Sequence, residues 1–319
     1  MTNVFIDGSA GTTGLKIASR LGKRRDIKLL RLSEKLRKDT LARKDAMDAA
    51  DIVFLCLPDA AAREAAALPE NPNTVLIDTS TAHRTASGWA YGFPELTGHR
   101  EQIRAAKRIA NPGCHASGFI ALVAPLVERG VLSPDARLSA FSMTGYSGGG
   151  KGMIADYEQP TRDGLLDAPR QYGLGQEHKH LPEMTAQCGL VNAPIFCPVV
   201  APYFSGMEVT VPLFRSDLAC GAEELRDIYR DYYQQGLVRV AEAADENGFL
   251  SACAFSGRDD MQILVSGSDE RILLISRFDN LGKGASGAAI QNMNLVLGCD
   301  EAKSLCTGGF PVLGKAVPA

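Results

Sequence analysis

A glycine-rich turn between an apolar strand and a helix is the feature that most restricts how this chain can fold. Residues 3–7, NVFID, predict a strand, and a helical pattern begins about ten residues later. Between them Gly8, Gly11 and Gly14 form G-x-x-G-x-x-G, a variant of the fingerprint in which glycines let the backbone approach a pyrophosphate at a helix N-terminus. An ordinary glycine-rich turn is the alternative at this point.

The runs that follow the turn favour the first interpretation. Apolar segments recur at the spacing of strand–helix–strand units, at 27–32, 51–57, 74–80 and 108–111. Nearly continuous apolar strands between helical segments indicate a parallel sheet that is buried on both faces. The sequence therefore predicts an α/β domain of Rossmann type over residues 1–114.

The remainder of the chain has a different pattern. Long β-type runs lie at 136–147, 195–214 and 261–279 without regular alternation with helices, which predicts an α+β domain with a largely antiparallel sheet. A small, apolar helical segment, GASGAAIQNMNLVLG, comes near the end. It could return to the first domain. We therefore predict one domain from 1–114 with 290–319 and a second from 115–289.

A local surplus of positive charge follows the glycine turn. Between residues 20 and 44 there are eleven Lys or Arg against three acids, although the whole chain has a net charge of −3. NAD enzymes usually carry an acid after the second strand, whereas NADP enzymes carry basic or small polar groups for the 2′-phosphate. A solvated helical face is the alternative. We predict NADP(H) as cofactor, contacted by residues from this segment: Arg31, Ser33, Arg37 and Lys38.

Composition excludes several classes of protein. The 319 residues are 45% hydrophobic, but no run reaches the ~20 apolar residues of a membrane span and no signal peptide is evident. Eight cysteines show neither C-x-x-C nor paired spacing, so neither a metal site nor a disulfide framework is expected. The slight acidity gives no support to nucleic-acid binding. We expect a soluble cytoplasmic protein without membrane or nucleic-acid partners.

One cysteine has a context that suits a nucleophile. Cys114 follows Asn-Pro-Gly and precedes a helical run predicted at 116–129, and a helix N-terminus favours the thiolate. Free cysteines are often simply buried, which is the alternative. His178 and His180, in QEHKHLPEM, could serve the thiol as base or lie in a solvated loop. A metal site would need a third ligand that the spacing does not provide.

A second glycine run, TGYSGGGKGM, lies at 144–153. Consecutive glycines can direct backbone N–H groups at an anion, and the lysine could neutralise it. A flexible hairpin or lid is equally compatible with this composition. We predict that the segment binds the phosphate of a substrate through Ser147, Gly148, Gly149 and Lys151.

Several of these motifs occur together in one known family. GSAGTTG, LIDTSTAHR, YGFPEL, NPGC, YSGGGK, EHKHLPEM and DNLGKGASGAAIQNMNL appear in the family's order over nearly the whole chain. The chain thus resembles N-acetyl-gamma-glutamyl-phosphate reductase in its shorter, type 2 form, within the aspartate-semialdehyde dehydrogenase-like superfamily. Where the longer form has Tyr-Pro-Thr after the cysteine, this chain has His115, Ala116 and Ser117, which leaves the role of His115 open.

The resemblance implies a function and roles for the residues. It implies NADPH-dependent reduction of N-acetyl-glutamyl 5-phosphate in arginine biosynthesis by a homo-oligomer, dimeric or tetrameric. Cys114 would be the nucleophile and the histidine pair the acid/base, with His180 preferred over His178, and Asn292 would lie near the nicotinamide. An aspartate-semialdehyde dehydrogenase-type reductase and a non-catalytic NADP-binding regulator are the alternatives. The cofactor loop would comprise Gly8, Ser9, Gly11, Thr12, Thr13 and Gly14.

Overall fold

The computed structural model describes residues 1–243 and 246–308, which form two compact units. The first unit comprises Met1–Gly113 and Ala285–Leu305, and the second comprises Cys114–Gly284 with the described residues from Cys306 onward. The sequence prediction placed the limits at 114 and 290 instead. It also assigned the C-terminal end to the first domain, and the part of that prediction covering 309–319 lies outside the described residues.

The elements are numbered along the described chain. The strands are β1 (Thr2–Asp7), β2 (Ile27–Leu30), β3 (Ile52–Leu55), β4 (Val75–Asp78), β5 (Ala90–Tyr91), β6 (Arg108–Ala110), β7 (Ser139–Gly145), β8 (Arg170–Gln171), β9 (Ile195–Ala201), β10 (Met207–Phe214), β11 (Val238–Val240), β12 (Met261–Gly267) and β13 (Arg271–Phe278). The helices are α1 (Thr12–Leu21), α2 (Thr40–Asp48), α3 (Asp59–Ala66), α4 (His99–Ala105), α5 (Cys114–Glu128), α6 (Gly150–Glu158), α7 (Leu181–Cys188), α8 (Ala222–Tyr232) and α9 (Gly287–Val296).

The first unit contains a six-stranded parallel sheet in the order β2-β1-β3-β4-β6-β5. Its strands are short and apolar because helices cover both faces: β3 and β4 are buried at every position. Val4 and Ile6 of β1 pack in one cluster with side chains of α1 and α9, and Phe5 between them packs with side chains of α2 and α3. The predicted parallel α/β fold is confirmed. The two-residue strand β5 was not predicted.

The second unit contains a seven-stranded sheet in the order β11-β12-β13-β10-β7-β9-β8. The pairs β11–β12 and β7–β9 are parallel, and the other four pairs are antiparallel. The predicted antiparallel character is thereby confirmed, and β12 and β13 pair as a hairpin. Helices α5 and α8 pack against this sheet, and α7 packs against α5.

Two segments differ from their sequence predictions in a way that matters for function. Helix α5 begins at Cys114, two residues before the predicted start, so the cysteine belongs to the first helical turn. The glycine run at 144–153 is neither a hairpin nor an open loop. It continues β7 into a 3₁₀ turn, Tyr146–Gly149, and then into α6, because Gly150 supplies a positive φ of 75° between the two.

Candidate active site

The glycine turn of the first unit is shaped by close backbone contacts. Gly8 has a φ of +83°, and a Cβ atom there would overlap the carbonyl oxygen of Cys56 at the end of β3. A Cβ atom on Gly14 would lie 2.7 Å from the Gly8 carbonyl oxygen, so the first turn of α1 packs directly on the glycine turn. Gly11 is the N-cap of α1. Backbone N–H groups at this helix start are therefore accessible to an anion.

A pocket of about 600 Å³ adjoins this turn within the first unit. Gly8 and Ser9 line it, together with three cations predicted from the sequence: Arg31, Arg37 and Lys38. The other predicted residues of the cofactor loop build the turn and the start of α1 but do not line the pocket: Gly11, Thr12, Thr13 and Gly14. Ser33 does not line the pocket; its carbonyl oxygen accepts hydrogen bonds from the N–H groups of Leu36 and Arg37, and its predicted contact with the cofactor stays a prediction.

Sequence reasoning missed an ion pair in the same pocket. Asp7, at the end of β1, accepts hydrogen bonds from Arg43 Nε at 3.1 Å and Nη2 at 2.7 Å. Both side chains line the pocket, and both are largely buried. Arg43 was part of the basic run, but only the orientation of α2 shows that it faces inward. Since Arg43 neutralises the carboxylate, the pocket keeps a net positive charge that fits a phosphorylated dinucleotide.

Asn292, predicted to lie near the nicotinamide, is fully buried on α9. Its Nδ2 donates to the Gly92 carbonyl oxygen at 2.9 Å and to Asn111 Oδ1 at 3.3 Å. Its Oδ1 has no hydrogen-bond partner within the described residues. Because this oxygen is itself buried, the structure does not bring it against a cofactor, and the predicted role stays a prediction.

Cys114 is the first residue of a helix that is held rigidly by the core of the second unit. Every residue from 115 to 126 of α5 is buried. The helix can lie close to the sheet because Gly118 has no side chain: a Cβ atom there would lie 2.5 Å from Val209 Cγ2 and 2.7 Å from Ser276 Oγ. Cys114 itself is partly exposed. The helix N-terminus favours its thiolate form.

Three histidine rings form a cluster in this unit. The ring centroids of His178 and His180 are 4.8 Å apart, and those of His115 lie 5.5 and 5.6 Å from them. Phe196 packs on the rings of His115 and His178. His178 and His180 stand in the turn that leads into α7, where Pro182 occupies the first helical turn. The structure thus places His115, whose role the sequence left open, beside the predicted pair.

Two of the three histidines, His115 and His178, are uncharged at physiological pH. Burial, with a smaller effect of the His178 and Lys179 charges, lowers the pKa of His115 to about 3. Burial and Lys179 lower the pKa of His178 to about 4. The backbone N–H of His180 donates to His178 Nδ1 at 3.2 Å, so neutral His178 carries its hydrogen on Nε2. His178 can therefore donate a hydrogen bond from its outer nitrogen.

Tyr172 and Ser142 complete the surroundings of the cluster. His115 Nδ1 lies 2.6 Å from Ser142 Oγ, and His115 Nε2 lies 2.7 Å from the Tyr172 hydroxyl. Burial raises the pKa of Tyr172, and the charge of the nearby Cys114 sulfur adds to this rise. Neither residue was predicted. Their partner, His115, lies next to the predicted nucleophile. Ser142 and Tyr172 follow His115 by 27 and 57 positions in the chain, and no sequence pattern connects them with it.

The predicted phosphate segment is partly ordered by its own contacts. Ser147 is buried, and its Oγ accepts a hydrogen bond from Asn280 Nδ2 at 3.0 Å. Gly148 and Gly149 are exposed, as is Lys151 in the first turn of α6.

Across 1–243 and 246–308, no three His, Cys, Asp or Glu side chains are arranged to hold a metal ion. In the same ranges no helix is both long and apolar enough to cross a bilayer.

Comparison with known proteins identifies the family. A family model described as the semialdehyde dehydrogenase dimerisation domain matches residues 114–280, and one described as its NAD binding domain matches 18–106. N-acetyl-gamma-glutamyl-phosphate reductase 2 of Nostoc sp. is 42% identical over 93% of this chain and 97% of its own. The N-acetyl-gamma-glutamyl-phosphate reductase of Chelativorans sp. is 45% identical over 92% and 97%. The chain belongs to the N-acetyl-gamma-glutamyl-phosphate reductase family.

Solved structures agree with this membership at the level of the fold. Aspartate semialdehyde dehydrogenase II of Vibrio cholerae superposes with a TM-score of 0.70 at 18% identity, covering 93% of this chain and 98% of that one. The Candida albicans enzyme, solved with NADP, gives 0.60 at 14% identity with the same coverage. The resemblance drawn from the motifs is confirmed, as is the prediction of a reductase with a nicotinamide-dinucleotide domain.

Proposed function

We propose that the protein reduces N-acetyl-glutamyl 5-phosphate to N-acetyl-glutamate 5-semialdehyde and phosphate, using NADPH and a thioester on Cys114. The observation that carries this proposal is the position of Cys114 at the start of α5, in a unit where His115, His178 and His180 pack ring to ring. The relatives described above are named for this activity, and this chain matches nearly their whole length.

The first half-reaction forms the thioester. His180 removes the thiol proton, and the thiolate attacks the acyl carbon while the bond from that carbon to the phosphate oxygen breaks. His180 suits this role better than His178, because the Nδ1 lone pair of His178 already accepts the backbone N–H of His180. His178 instead donates from Nε2 to a substrate oxygen. Low pKa values keep His115 and His178 uncharged, so they do not compete for the proton.

The second half-reaction reduces the thioester and frees the aldehyde. A nicotinamide bound beside the thioester would supply the hydride. The carbonyl oxygen then carries the negative charge, and protonated His180 gives it a proton, producing a neutral thiohemiacetal on Cys114. When the carbon–sulfur bond breaks, the hydroxyl proton returns to His180 and then to the departing thiolate. The cysteine and histidine thereby regain their starting forms, and neither gains nor loses a proton over the cycle.

NADP(H) rather than NAD(H) is the proposed cofactor. The pocket beside Gly8 supports it, since Arg31, Arg37 and Lys38 line the pocket and Asp7 is neutralised by Arg43. A 2′-phosphate contacting one or two cations should make NADPH bind at least ~10-fold more tightly than NADH, which corresponds to ~1.4 kcal/mol. Titration of both cofactors measures this, and equal dissociation constants would contradict it. Single alanine variants of the three cations show which one matters.

The phosphate of the substrate is assigned to the segment from Ser147 to Lys151. Lys151 supports this assignment because it is exposed in the first turn of α6, where the helix dipole also favours an anion. Gly148 and Gly149 leave the approaching backbone uncovered. Lys151→Ala should raise the KM for phosphate in the reverse reaction and leave NADPH affinity unchanged. An unchanged KM would remove the lysine from the site.

A homo-oligomer, dimer or tetramer, is the proposed assembly, and the cytoplasm is the proposed location. The strand register puts five exposed apolar side chains on the sheet face of the second unit opposite α5: Phe141, Met143, Ile195, Phe214 and Leu273. An exposed patch of this kind marks an interaction surface. All eight cysteines are free thiols, which fits a reducing compartment. Sedimentation of the wild type and Phe141→Glu tests the assembly.

The activity is tested in the reverse direction. Phosphate-dependent reduction of NADP by N-acetyl-glutamate semialdehyde should greatly exceed that by aspartate semialdehyde. Preference for aspartate semialdehyde would favour the related dehydrogenase activity, and cofactor binding without turnover would indicate a regulator. Cys114→Ser should retain the fold and NADPH binding yet lose nearly all activity, whereas Cys299→Ser, also partly buried, is the matched control. Mass spectrometry should place the acyl adduct on Cys114.

The histidine assignment has its own test. His180→Asn should lower turnover by ~10²–10⁴-fold, the range for loss of general acid–base catalysis, with NADPH affinity nearly unchanged. His178→Asn should mainly weaken substrate binding. The reverse pattern would exchange the two roles, and near-wild-type turnover in both variants would remove the pair from the mechanism.

A further inference from the structure

Two buried side chains directly after β13 have no part in the proposed mechanism. Asp279 and Asn280 are 1% and 2% exposed. The amide of Asn280 joins two segments of the second unit: its Nδ2 donates to Ser147 Oγ at 3.0 Å, and its Oδ1 accepts from the Gly206 N–H at 3.0 Å. Breaking either bond would leave a buried polar atom without a partner, which is costly, so the amide holds the two segments firmly.

One of the segments that Asn280 joins is the phosphate segment, residues 147–151, which is assigned above to the phosphate of the substrate. Backbone bonds to the turn at 203–206 fix the approach to it: the N–H groups of Gly145 and Ser147 donate to carbonyl oxygens of that turn, each at 3.0 Å. Among the described residues, Asn280 alone hydrogen-bonds the Ser147 side chain. Asn280 therefore supports the point at which the glycine run begins.

Asp279 lies at the other end of this arrangement, beside the proposed nucleophile. Its carboxylate accepts from the N–H groups of Gly257 at 2.6 Å and Leu281 at 2.8 Å, which fixes the orientation of the dipeptide. Its carbonyl oxygen accepts from the Gly284 N–H at 3.0 Å. Gly284 lies against Cys114: a Cβ atom added to the glycine would be 2.9 Å from Cys114 Cβ. A continuous set of contacts thus leads from the Cys114 side chain to the phosphate segment.

The chemistry of an acyl phosphate makes this connection relevant. In the substrate, a single oxygen atom separates the carbon that the thiolate attacks from the phosphorus. The sulfur and the groups that bind the phosphate must therefore keep a fixed, short separation. A misplacement of about 1 Å can lower a rate ~100-fold. A residue that joins the two sites can thus control the rate without contacting the substrate.

We propose that Asn280 is a positioning residue that holds the phosphate segment at the distance from Cys114 that acyl transfer requires. The proposal rests on the proposed function, in which Cys114 is the nucleophile and residues 147–151 bind the phosphate. Asn280 acts through Ser147 and Gly206 rather than on the reacting atoms. It consequently affects the exchange of the acyl group between sulfur and phosphate, and it leaves the hydride step unchanged.

The reverse reaction separates these two steps. The aldehyde first adds to Cys114 and gives a hydride to NADP, which leaves a thioester, while the hydroxyl proton passes to His180. A phosphate oxygen then attacks the acyl carbon, and the thiolate departs. Only the second step needs phosphate. Rapid mixing of the enzyme with NADP and N-acetyl-glutamate semialdehyde, without phosphate, should therefore give a burst of NADPH that reports the first step alone.

Asn280→Ala should affect only the second of these steps. The NADPH burst should keep its rate and amplitude within ~2-fold, whereas kcat/KM for inorganic phosphate should fall ~10–100-fold, as expected for a misplaced binding segment. Equal slowing of both steps would show a merely structural role and overturn the proposal, as would an unchanged phosphate step. A wild type without a burst, or a burst in Cys114→Ser, would refute the proposed function instead.

Two variants of the same unit serve as controls. Val211→Ala shortens a fully buried side chain of β10, so it destabilises the unit without changing the amide link. Asn192→Ala removes another asparagine amide, which donates to the Asp135 carbonyl oxygen at 3.1 Å. Neither control should lower kcat/KM for phosphate by more than ~2-fold. A loss in Val211→Ala as large as that in Asn280→Ala would attribute the effect to lost stability and overturn the proposal.

Ser147→Ala tests the link from its other end and leaves Asn280 in place. It removes the acceptor, so it should also lower kcat/KM for phosphate and spare the burst, and it provides the test if Asn280→Ala does not fold. Because both variants break one hydrogen bond, the double variant should be within ~2–3-fold of the less active single variant. Independent, multiplicative effects would overturn the link. Circular dichroism establishes that each variant is folded.

Discussion

Acidification should destabilise this protein through His115. The ring is buried and has a pKa of about 3 in the folded chain, against 6.5 when exposed. Between these values the unfolded chain binds a proton that the folded chain does not. The free energy of unfolding is therefore highest above pH 6.5 and falls as the pH decreases toward 3.

The size of the effect follows from the two pKa values. A pH of ~4.5 is two units below the pKa of the exposed ring. Each unit lowers the free energy of unfolding by ~1.4 kcal/mol, so protonation of His115 in the unfolded chain costs ~2.7 kcal/mol of stability at this pH. His178 adds to this in the same direction but more weakly, since its ring is partly exposed and solvent screens it. A loss of this size is a large share of the stability of a typical domain.

The measurement compares the wild type with His115→Gln, which cannot bind a proton in this range. Hydrogen exchange of the α5 amides reports the unit that contains residue 115, and it is followed at several pH values from 7.5 to 4.5 after correction for intrinsic exchange. Carboxylates titrate in both proteins, so their contribution cancels. The difference in opening free energy between the two proteins should change by ~2–3 kcal/mol over this range. Parallel profiles would refute the reasoning, because they would mean that His115 is protonated equally in both states.

Other substitutions give further tests. Gly8→Ala should cost ~2–5 kcal/mol of stability, since its left-handed backbone and the adjoining carbonyl leave no room, whereas Gly11→Ala should stay within about 1 kcal/mol; thermal melts compare them. Gly118→Ala should cost ~1–3 kcal/mol by forcing α5 away from its sheet, which urea unfolding measures. Arg43→Ala should weaken NADPH binding ~10-fold or more by leaving a bare carboxylate, but Asp7→Asn should not weaken it; calorimetry distinguishes these outcomes.

The sequence predicted most of the fold because both sheets have clear signatures. Four-residue apolar strands such as Ile52–Leu55 are readable when both faces are buried, and the glycine turn marks where a helix must start. The glycine run at 144–153 was less readable. Glycine permits loops and helix starts equally, and only the positive φ of Gly150 and the hydrogen bond from Asn280 to Ser147 accompany the 3₁₀ turn and helix.

The candidate site was predictable where its residues are neighbours in sequence. Cys114 and the His178–His180 pair belong to short motifs, so pattern alone suggested them. His115, Ser142 and Tyr172 meet only because α5, β7 and β8 come together, and no local pattern reports such a contact. The same holds for Asp7 and Arg43, which are 36 residues apart and joined by the packing of α2 beside β1.

The two ends of the segment 114–284 adjoin each other. Cys114 starts the second unit and Gly284 ends its main segment, and a Cβ atom on Gly284 would lie 2.9 Å from that of Cys114. A domain whose ends meet can be inserted into a host fold, or removed from it, without stretching either chain. Cys114, the proposed nucleophile, therefore lies at the junction where such an insertion begins. A linker inserted at this point, or a circular permutation there, would therefore lower catalytic activity while leaving the fold of both units intact.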